Sequence, residues 1–306
     1  MKIVMTGATG FIGHALCAEL LFHGHAVVAL VRNIESAKRT LPASIEFHHW
    51  DATGSEFPDQ ALRGADAVIH LAGEPVAQGR WTEERKARIR SSRVDSTARL
   101  VEAIRRSEAK PKILICASAV GIYGSRRNES LDEGSGPGTD FLAQVCVDWE
   151  KASMAVDALG VRRVNVRTGV VLGRGGGALE SLLPVFKSFV GGPIGSGKQW
   201  MSWIHLSDML AIYLRTLEDA EIHGPLNATA PDPVTNESFS RKLAKALNRP
   251  AWVKTPGFVL KLAFGEMAGM LLGGQKVIPK KLLDRGFQFK YPDLDLALKN
   301  LTSSSA

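Results

Sequence analysis

The feature that most constrains this fold is a glycine-rich turn at residues 6–13, which follows a short apolar run at Lys2–Thr6. The turn reads Thr-Gly-Ala-Thr-Gly-Phe-Ile-Gly, and the stretch Phe11–Phe22 and a second apolar run, Ala26–Val31, come after it. This order of strand, turn, helix and strand is the context in which a G-x-x-G-x-x-G pattern binds a dinucleotide. We therefore predict a dinucleotide-binding βαβ unit; the alternative is a structural turn that binds nothing.

Each glycine of the turn has its own expected role. Gly7 permits the tight turn, Gly10 lets the backbone approach a pyrophosphate with no Cβ between them, and Gly13 allows the helix to pack closely. The free N–H groups and the positive end of the helix dipole would then face the phosphates. The expected cofactor contacts in this segment are Thr6, Gly7, Thr9, Gly10, Phe11, Ile12 and Gly13.

Apolar runs and helical segments alternate through the first half of the chain. Further strands are expected at Ile45–His49, Ala67–Leu71, Ile113–Ala117 and Arg163–Arg167, and two helices between them at about 82–106 and 141–158. Strands that are apolar on both faces and alternate with helices indicate an α/β fold, a Rossmann-type doubly wound parallel sheet.

After Gly173 the alternation becomes irregular. We expect an NADP-binding Rossmann domain at residues 1–172. A smaller, discontinuous C-terminal substrate lobe is expected at residues 173–306, with part of its chain returning to the sheet. The cleft between the two should lie at the carboxyl ends of the strands.

Composition argues against several kinds of partner. The net charge is +7, but the basic residues are scattered and form no stripe with interleaved aromatic residues, so we expect no nucleic acid. No apolar run is long enough to span a bilayer, and no membrane partner is expected. Cys17, Cys116 and Cys146 lack metal-ligand spacing, which predicts reduced thiols, no metal and a cytoplasmic protein. The expected partner is a small molecule, bound by a monomer or homodimer.

The end of the second strand indicates which dinucleotide binds. An acid there would bond the adenosine ribose, whereas an arginine would accommodate the 2′-phosphate of NADP. This chain has Val31-Arg32-Asn33 and no acid at the tip. Because Arg32 can pair with a phosphate and stack on adenine, we expect NADP(H); the alternative is a plain surface charge. Asp51, after the third strand, is either a partner of the adenine amino group or a turn residue.

Further motifs resemble a known family. The fourth and fifth expected strands end in segments that contain small residues, His70–Gly73 and Ala117–Gly124. Small residues there would let the backbone of the chain pass close beside a dinucleotide. Together with the glycine turn they resemble the extended short-chain dehydrogenase/reductases of the NAD-dependent epimerase/dehydratase superfamily. Gly73–Val76, Val166–Gly173 and Ser202–His205 narrow the resemblance to its atypical YfcH-like epimerase family.

This resemblance implies an oxidoreductase or epimerase that acts on a small polar substrate. It also implies that Arg93, on the long helix, and Val171, after the sixth strand, line the NADP site; Arg93 could equally be a solvated helix charge. The remaining cofactor contacts expected at the strand ends are Leu71, Ala72, Gly73 and Ala117.

The acid/base residues of the parent superfamily are missing. Those enzymes use a Tyr, a Lys four residues later, and a Ser or Thr four residues before a Tyr-Gly pair. No Tyr-x-x-x-Lys exists here, and counting back from Tyr123 puts the hydroxyl position on Ala119, one residue from Ser118. The Tyr and Lys positions fall most plausibly on Cys146 and Glu150. The usual proton transfer therefore has no obvious agent.

Four residues are weak candidates to replace the missing set, namely Ser118, Cys146, Glu150 and His205. A thiol beside a carboxylate is not activated, because a negative neighbour raises its pKa, so a buried Cys146 and a structural Glu150 are the favoured interpretation. His205 either orients the second lobe or contacts substrate. Two functions remain open: an oxidoreductase or epimerase-like enzyme, and a non-catalytic NADP(H)-binding regulator or sensor.

Overall fold

The computed structural model describes residues 1–54 and 56–303. Its strands, in chain order, are β1 Lys2–Thr6, β2 Ala26–Val31, β3 Glu46–His49, β4 Ala67–His70, β5 Ile113–Ala119, β6 Ser130–Leu131, β7 Arg162–Thr168, β8 Val170–Gly173, β9 Trp200–Met201, β10 Trp203–His205, β11 Gly224–Ala228, β12 Val234–Thr235 and β13 Lys276–Val277. Its α-helices are α1 Phe11–Phe22, α2 Ile34–Thr40, α3 Glu83–Arg106, α4 Phe141–Met154, α5 Gly177–Lys187, α6 Leu206–Glu218, α7 Asn236–Ala246, α8 Gly257–Phe264, α9 Ala268–Leu272, α10 Lys280–Asp284 and α11 Leu294–Thr302.

Seven strands form one parallel sheet in the order β11-β7-β5-β4-β1-β2-β3. The strand order reverses at β1, where the chain first winds outward through β2 and β3 and then returns to β4 on the other side. In open sheets of this kind, ligands bind beyond the carboxyl ends of the strands at the reversal point. The predicted Rossmann-type doubly wound fold is confirmed.

Alternation along β1 explains why both faces of the sheet are covered. Ile3 and Met5 pack with Leu16 and Leu20 of α1 on one face, whereas Val4 packs with Leu100 of α3 on the other. Successive side chains of a strand point to opposite faces, so a strand that is apolar throughout needs helices on both sides. This packing fixes the carboxyl end of β1 between its neighbours.

Most expected boundaries differ from the structure by at most one residue, and two differ by more. β5 runs two residues further than expected, because Ser118 and Ala119 pair with Arg167 and Thr168 of β7. Helix α4 ends at Met154 instead of about 158; a short 3-10 helix and a left-handed Gly160 follow it. The longer β5 brings Ser118 into the sheet, directly beside a strand that carries an arginine.

The later part of the chain adds small sheets and one strand of the large sheet. β8 pairs with β10, β9 with β12 and β6 with β13, while β11 lies at the edge of the large sheet beside β7. A separate apolar cluster joins α7 and α11 to Leu172 and Trp203. The division at residues 172 and 173 stays a prediction. Among the described helices, none is both long and apolar enough to cross a membrane.

Candidate functional site

The glycine turn lies between β1 and α1 and has little room for side chains. Gly7 has φ +71°, and a Cβ there would lie 2.7 Å from the carbonyl carbon of Leu71. A Cβ on Gly13 would lie 2.1 Å from the Gly7 oxygen, so the helix packs directly on the turn. At Gly10 the only close atom is the Gly7 oxygen at 3.2 Å, and no described side chain caps α1. The helix N-terminus is thus left open for an anion.

A buried hydroxyl holds the ends of β1 and β4 together. Thr6 Oγ1 accepts the N–H groups of Leu71 and Ala72, at 3.2 and 3.1 Å, and lies 2.7 Å from His70 Nδ1. Its own proton must therefore go to Nδ1, which leaves the His70 Nε2–H to donate to Ser96 Oγ at 3.2 Å. Burial lowers the pKa of His70 to about 4, so the ring is neutral and this tautomer persists.

Phe11 connects the turn to the segment after β8. Cβ atoms added to Gly173, Gly176 and Gly177 would lie 2.7, 2.3 and 2.8 Å from atoms of the Phe11 ring. The aromatic ring therefore packs against bare backbone. This contact brings Val171, which is buried and pairs with Ile204 of β10, close to the glycine turn.

Arg32 extends from the end of β2 into solvent. Its side chain is 74% exposed and its guanidinium lies 3.7 Å from the carboxylate of Glu74. That carboxylate is shared with Arg85 at 2.9 Å and Arg88 at 3.5 Å. Three arginines around one carboxylate leave this edge positively charged, which suits a phosphate.

The other residues expected near the adenosine have local partners. Asn33 caps α2 by accepting the Ser36 N–H at 2.9 Å. The Asp51 carboxylate accepts from the backbone N–H and the hydroxyl of Thr53, and these hydrogen bonds lower its pKa. Because the Trp50 N–H donates to the Val31 carbonyl, Asp51 lies next to the tip of β2.

Arg93 is packed inward and supports the end of β4. One guanidinium nitrogen donates to the Glu74 carbonyl at 2.9 Å, and the other to the Ile89 carbonyl at 3.0 Å. Its guanidinium carbon lies 5.2 Å from the Trp149 ring centroid, and a Cβ on Gly73 would lie 3.1 Å from it. Arg93 is therefore a packed side chain at the strand end, and not a solvated helix charge.

Ser118 and Glu150, two of the weak catalytic candidates, belong to one buried ion-pair network. Ser118 Oγ donates to Glu150 Oε1 at 2.7 Å, and Arg167 donates to both Glu150 oxygens, at 2.8 and 2.9 Å. Burial lowers the pKa of Arg167, but the two-point contact with Glu150 outweighs burial and raises it overall. The carboxylate is thus committed to the guanidinium.

The network continues from Arg167 to the C-terminal part of the chain. Arg167 donates to Tyr123 Oη at 2.9 Å, and Tyr123 donates to Asn227 Oδ1 at 2.7 Å. The Asn227 side-chain amide donates to the carbonyl of Ile278, and the backbone N–H of Asn227 donates to the Glu133 carboxylate. Burial raises the pKa of the Tyr123 phenol, so it keeps its proton. Tyr123 is therefore a buried hydrogen-bonding residue held between Arg167 and Asn227.

Cys146 and His205, the other two candidates, also have structural surroundings. Burial raises the pKa of the Cys146 thiol to about 12. His205 caps α6: its Nδ1 accepts the Ser207 N–H at 3.0 Å, so its Nε2–H donates to Asn300 at 3.2 Å. Its ring also stacks on Tyr291 with the centroids 3.9 Å apart. Both ring nitrogens are therefore used within the chain.

Sequence reasoning did not identify Arg167 as the partner of Glu150, nor Asn227 and Glu133 as parts of the network. The available signal was an arginine inside a strand that had to be buried, since a buried guanidinium requires an acid partner or several other hydrogen-bond acceptors. Nothing in the local sequence indicated which acid, because Glu150 is on the preceding helix. Among the described residues, no group of three or more His, Cys, Asp or Glu is placed to hold a metal ion.

Comparisons with known proteins agree with this geometry. The sequence model of the "NAD dependent epimerase/dehydratase family" matches residues 3–227, and a "Domain of unknown function (DUF1731)" matches residues 255–301. The chain is 41% identical over 302 residues to epimerase family protein YfhF of Bacillus subtilis, covering 98% of both. It is 40% identical to the chloroplastic SDR39U1 homolog of Arabidopsis thaliana, covering 98% of this chain and 86% of that protein.

A solved structure is also similar over its whole length. The crystal structure of human epimerase family protein SDR39U1 with NADPH superposes with a TM-score of 0.89 and 36% identity, covering 99% of each chain. The glycine turn, the doubly wound sheet and these matches lead to the same assignment, and it agrees with the resemblance seen in the sequence. This chain belongs to the NAD dependent epimerase/dehydratase family.

Proposed function

We propose that the chain is a cytoplasmic NADP(H)-dependent reductase that transfers a hydride to a small polar carbonyl compound without a side-chain acid. The observation that carries this proposal is the commitment of Glu150 to Arg167 and Ser118, at the place where the superfamily has its tyrosine and lysine. Epimerisation through a tyrosine base has no residue to perform it here.

The residues at the carboxyl edge of the sheet fit a dinucleotide. The uncapped start of α1, with space above Gly10, suits a pyrophosphate, and Phe11 holds the adjoining glycine segment in place. In this proposal the cofactor lies along the ends of β1, β2, β4, β5 and β8. The contacts we assign are Thr6, Gly7, Thr9, Gly10, Phe11, Ile12, Gly13, Val31, Arg32, Asn33, Asp51, Leu71, Ala72, Gly73, Arg93, Ala117 and Val171.

The choice of NADP(H) rests on Arg32 and the NADPH of the human relative. Arg32 is largely exposed, contacts Glu74 only at 3.7 Å, and can turn to a 2′-phosphate without leaving a buried acid unpaired. Besides its assigned cofactor contact, Arg93 is a positioning residue in this proposal, because it fixes the backbone of Gly73 and Glu74.

When bound, NADPH supplies a hydride, and a carbonyl acceptor needs one proton at its oxygen as its double bond opens. Cys146 keeps its proton because burial raises its pKa to about 12, and the Ser118 hydroxyl is engaged with Glu150. We therefore assign the proton to solvent water. The chain's own residues bind and orient the reactants.

The proposal is tested by adding a panel of aldehydes, ketones and quinones to the protein with NADPH. The loss of NADPH absorbance is followed at a fixed protein concentration. We expect oxidation with at least one acceptor, a rate unchanged by Cys146→Ser, and no inflection from a protein side chain between pH 6 and 9. Interconversion of nucleotide sugars by the purified chain would contradict this account.

The second candidate is the non-catalytic regulator or sensor. The same network favours it, because Glu150 is engaged with Arg167 and Ser118 and is not available to transfer a proton to a substrate. If NADPH binds but no acceptor oxidises it, this function replaces the reductase. Hydrogen exchange with and without NADPH then distinguishes the two: a sensor should change protection at residues remote from the turn.

A further inference from the structure

Exposed apolar side chains are concentrated in two segments of the C-terminal half, residues 181–199 and 249–264. The described chain has fourteen exposed large hydrophobic residues, and nine of them lie in these segments. They are Val185, Phe189, Val190, Trp252, Val253, Phe258, Val259, Leu262 and Phe264. Scattered exposed apolar residues are ordinary, but a concentration of this kind marks an interaction site.

Helix α8 is the most exposed part of this surface. None of its eight residues is buried, although six are apolar. Phe258 and Leu262 are 71% and 75% exposed. They lie on one face with Val259, because Leu262 follows Phe258 by four residues and Val259 by three. The helix is held through its main chain, since Arg80 donates to the carbonyls of Leu262 and Ala263. The exposed side chains of Phe258 and Leu262 are therefore left for another partner.

Backbone and ring contacts join the two segments into one surface. The Trp252 indole donates to the Phe189 carbonyl at 2.9 Å, and the Arg249 guanidinium lies 4.6 Å from the Phe189 ring centroid. The Thr255 N–H donates to the Pro193 carbonyl at 3.0 Å just before α8 begins. We call residues 181–199 and 249–264 the apolar-basic surface.

The two segments of this surface carry only positive charge. They contain five cations and no aspartate or glutamate, whereas the whole chain has 38 basic and 31 acidic residues. The cations are Lys187, Lys198, Arg249, Lys254 and Lys261. Within the part of the chain that the structure describes, none of these five forms a salt bridge. Glu180 and Glu266 stand just outside the ends of the two segments and Glu237 lies beside Gly197, but Glu266 pairs with Lys86 and Glu237 with Arg241. Exposed aromatic and aliphatic groups among lysines match the interface of an anionic bilayer.

We propose that the apolar-basic surface docks on an anionic lipid bilayer as a peripheral contact. Phe258, Leu262 and Trp252 would enter the headgroup boundary, while Lys254 and Lys261 extend to the lipid phosphates. Self-association is less suited to this surface, because a two-fold contact sets the same patch against itself and would bring the lysines together. The sequence predicted no membrane partner from the lack of a spanning segment, and peripheral docking requires no such segment.

Co-flotation of the full chain with vesicles tests this proposal. We expect binding to vesicles of phosphatidylcholine with about a third phosphatidylglycerol, and binding at least tenfold weaker to pure phosphatidylcholine. Raising the salt to about 0.5 M should also weaken it, because exposed charges are screened. No binding to the anionic vesicles, or equal binding to both kinds, would overturn the proposal.

Paired variants identify the surface. Phe258→Ser with Leu262→Ser, and separately Lys254→Gln with Lys261→Gln, should each weaken vesicle binding by on the order of tenfold. The matched control, Phe22→Ser with Leu296→Ser, changes exposed apolar residues elsewhere and should bind like the native chain. Retained NADPH binding reports that each variant is folded. A native dimer that Phe258→Ser with Leu262→Ser converts to a monomer would assign the surface to a second copy instead.

Discussion

At the scale of single residues, the main feature of the candidate site is the ion pair between Glu150 and Arg167. In our interpretation of the sequence, Cys146 and Glu150 stand at the positions where the superfamily places a phenol and an ammonium group. Arg167 then turns the carboxylate into half of a buried ion pair, which Ser118 and Tyr123 complete. Breaking a buried pair of this kind destabilises the fold, because the surviving charge stays buried with neither its partner nor water to compensate it.

Glu150→Gln should therefore destabilise the fold strongly. We expect a loss of about 3–5 kcal/mol, because Arg167 would stay buried beside a neutral amide. Urea unfolding measures it, with Glu237→Gln as the control, since Glu237 pairs with Arg241 on an exposed helix face and should cost less than about 1 kcal/mol. Equal losses of unfolding free energy in the two variants would mean that the buried pair stabilises the fold no more than the exposed pair does.

The three cysteines should be chemically inert in the native protein. Burial raises the pKa values of Cys17, Cys116 and Cys146 to about 12, so the reactive thiolate is scarce at pH 8. A chromogenic disulfide reagent should detect no thiol in the folded chain and three in urea. Rapid native labelling of Cys146 would show an activated thiol and reopen its role as a catalytic residue.

At the scale of elements, the proposed function assigns cofactor binding to the glycine turn. Gly10→Val should abolish NADPH binding while far-ultraviolet circular dichroism stays native, because the new methyl groups fill the space above the turn. The control is Gly136→Val, since a Cβ at Gly136 has no atom within 4 Å. Binding retained by Gly10→Val would make the turn purely structural.

The sequence predicts an element well where the interactions that set its bounds are local in the chain. The turn, α1 and β2 have their predicted bounds because glycine spacing and apolar periodicity are local signals. The extension of β5 to Ala119 needed the partner strand β7, which is 43 residues away from it in the chain. The pairing of Glu150 with Arg167 and the contact of His205 with Asn300 likewise depend on tertiary contacts that no local pattern encodes.

At the scale of the whole molecule, burial of neutral histidines links stability to acidity. His205 has a folded pKa lowered to about 4 by burial, against about 6.5 when unfolded, and His70 behaves in the same way. Between these values only the unfolded chain takes up the protons. The stabilisation is thus complete above pH 6.5 and is lost as the pH falls towards 4.

His205→Asn should reduce this acid sensitivity. An asparagine can still accept the Ser207 N–H as a helix cap, but it does not titrate. The slope of unfolding free energy against pH near pH 5 should fall by up to one proton, about 1.4 kcal/mol per pH unit. An unchanged slope would show that His205 is protonated in the folded chain.

The most direct test of the account is the affinity of the chain for NADPH and NADH, titrated by fluorescence with the native protein and with Arg32→Ala. We predict that the native chain prefers NADPH by on the order of tenfold or more, since a charge-assisted contact contributes roughly 1.5–3 kcal/mol. Arg32→Ala should lose that preference, and Arg39→Ala, on the exposed side of α2, should keep it. Equal native affinities for both cofactors, or a preference unchanged in Arg32→Ala, would contradict the account.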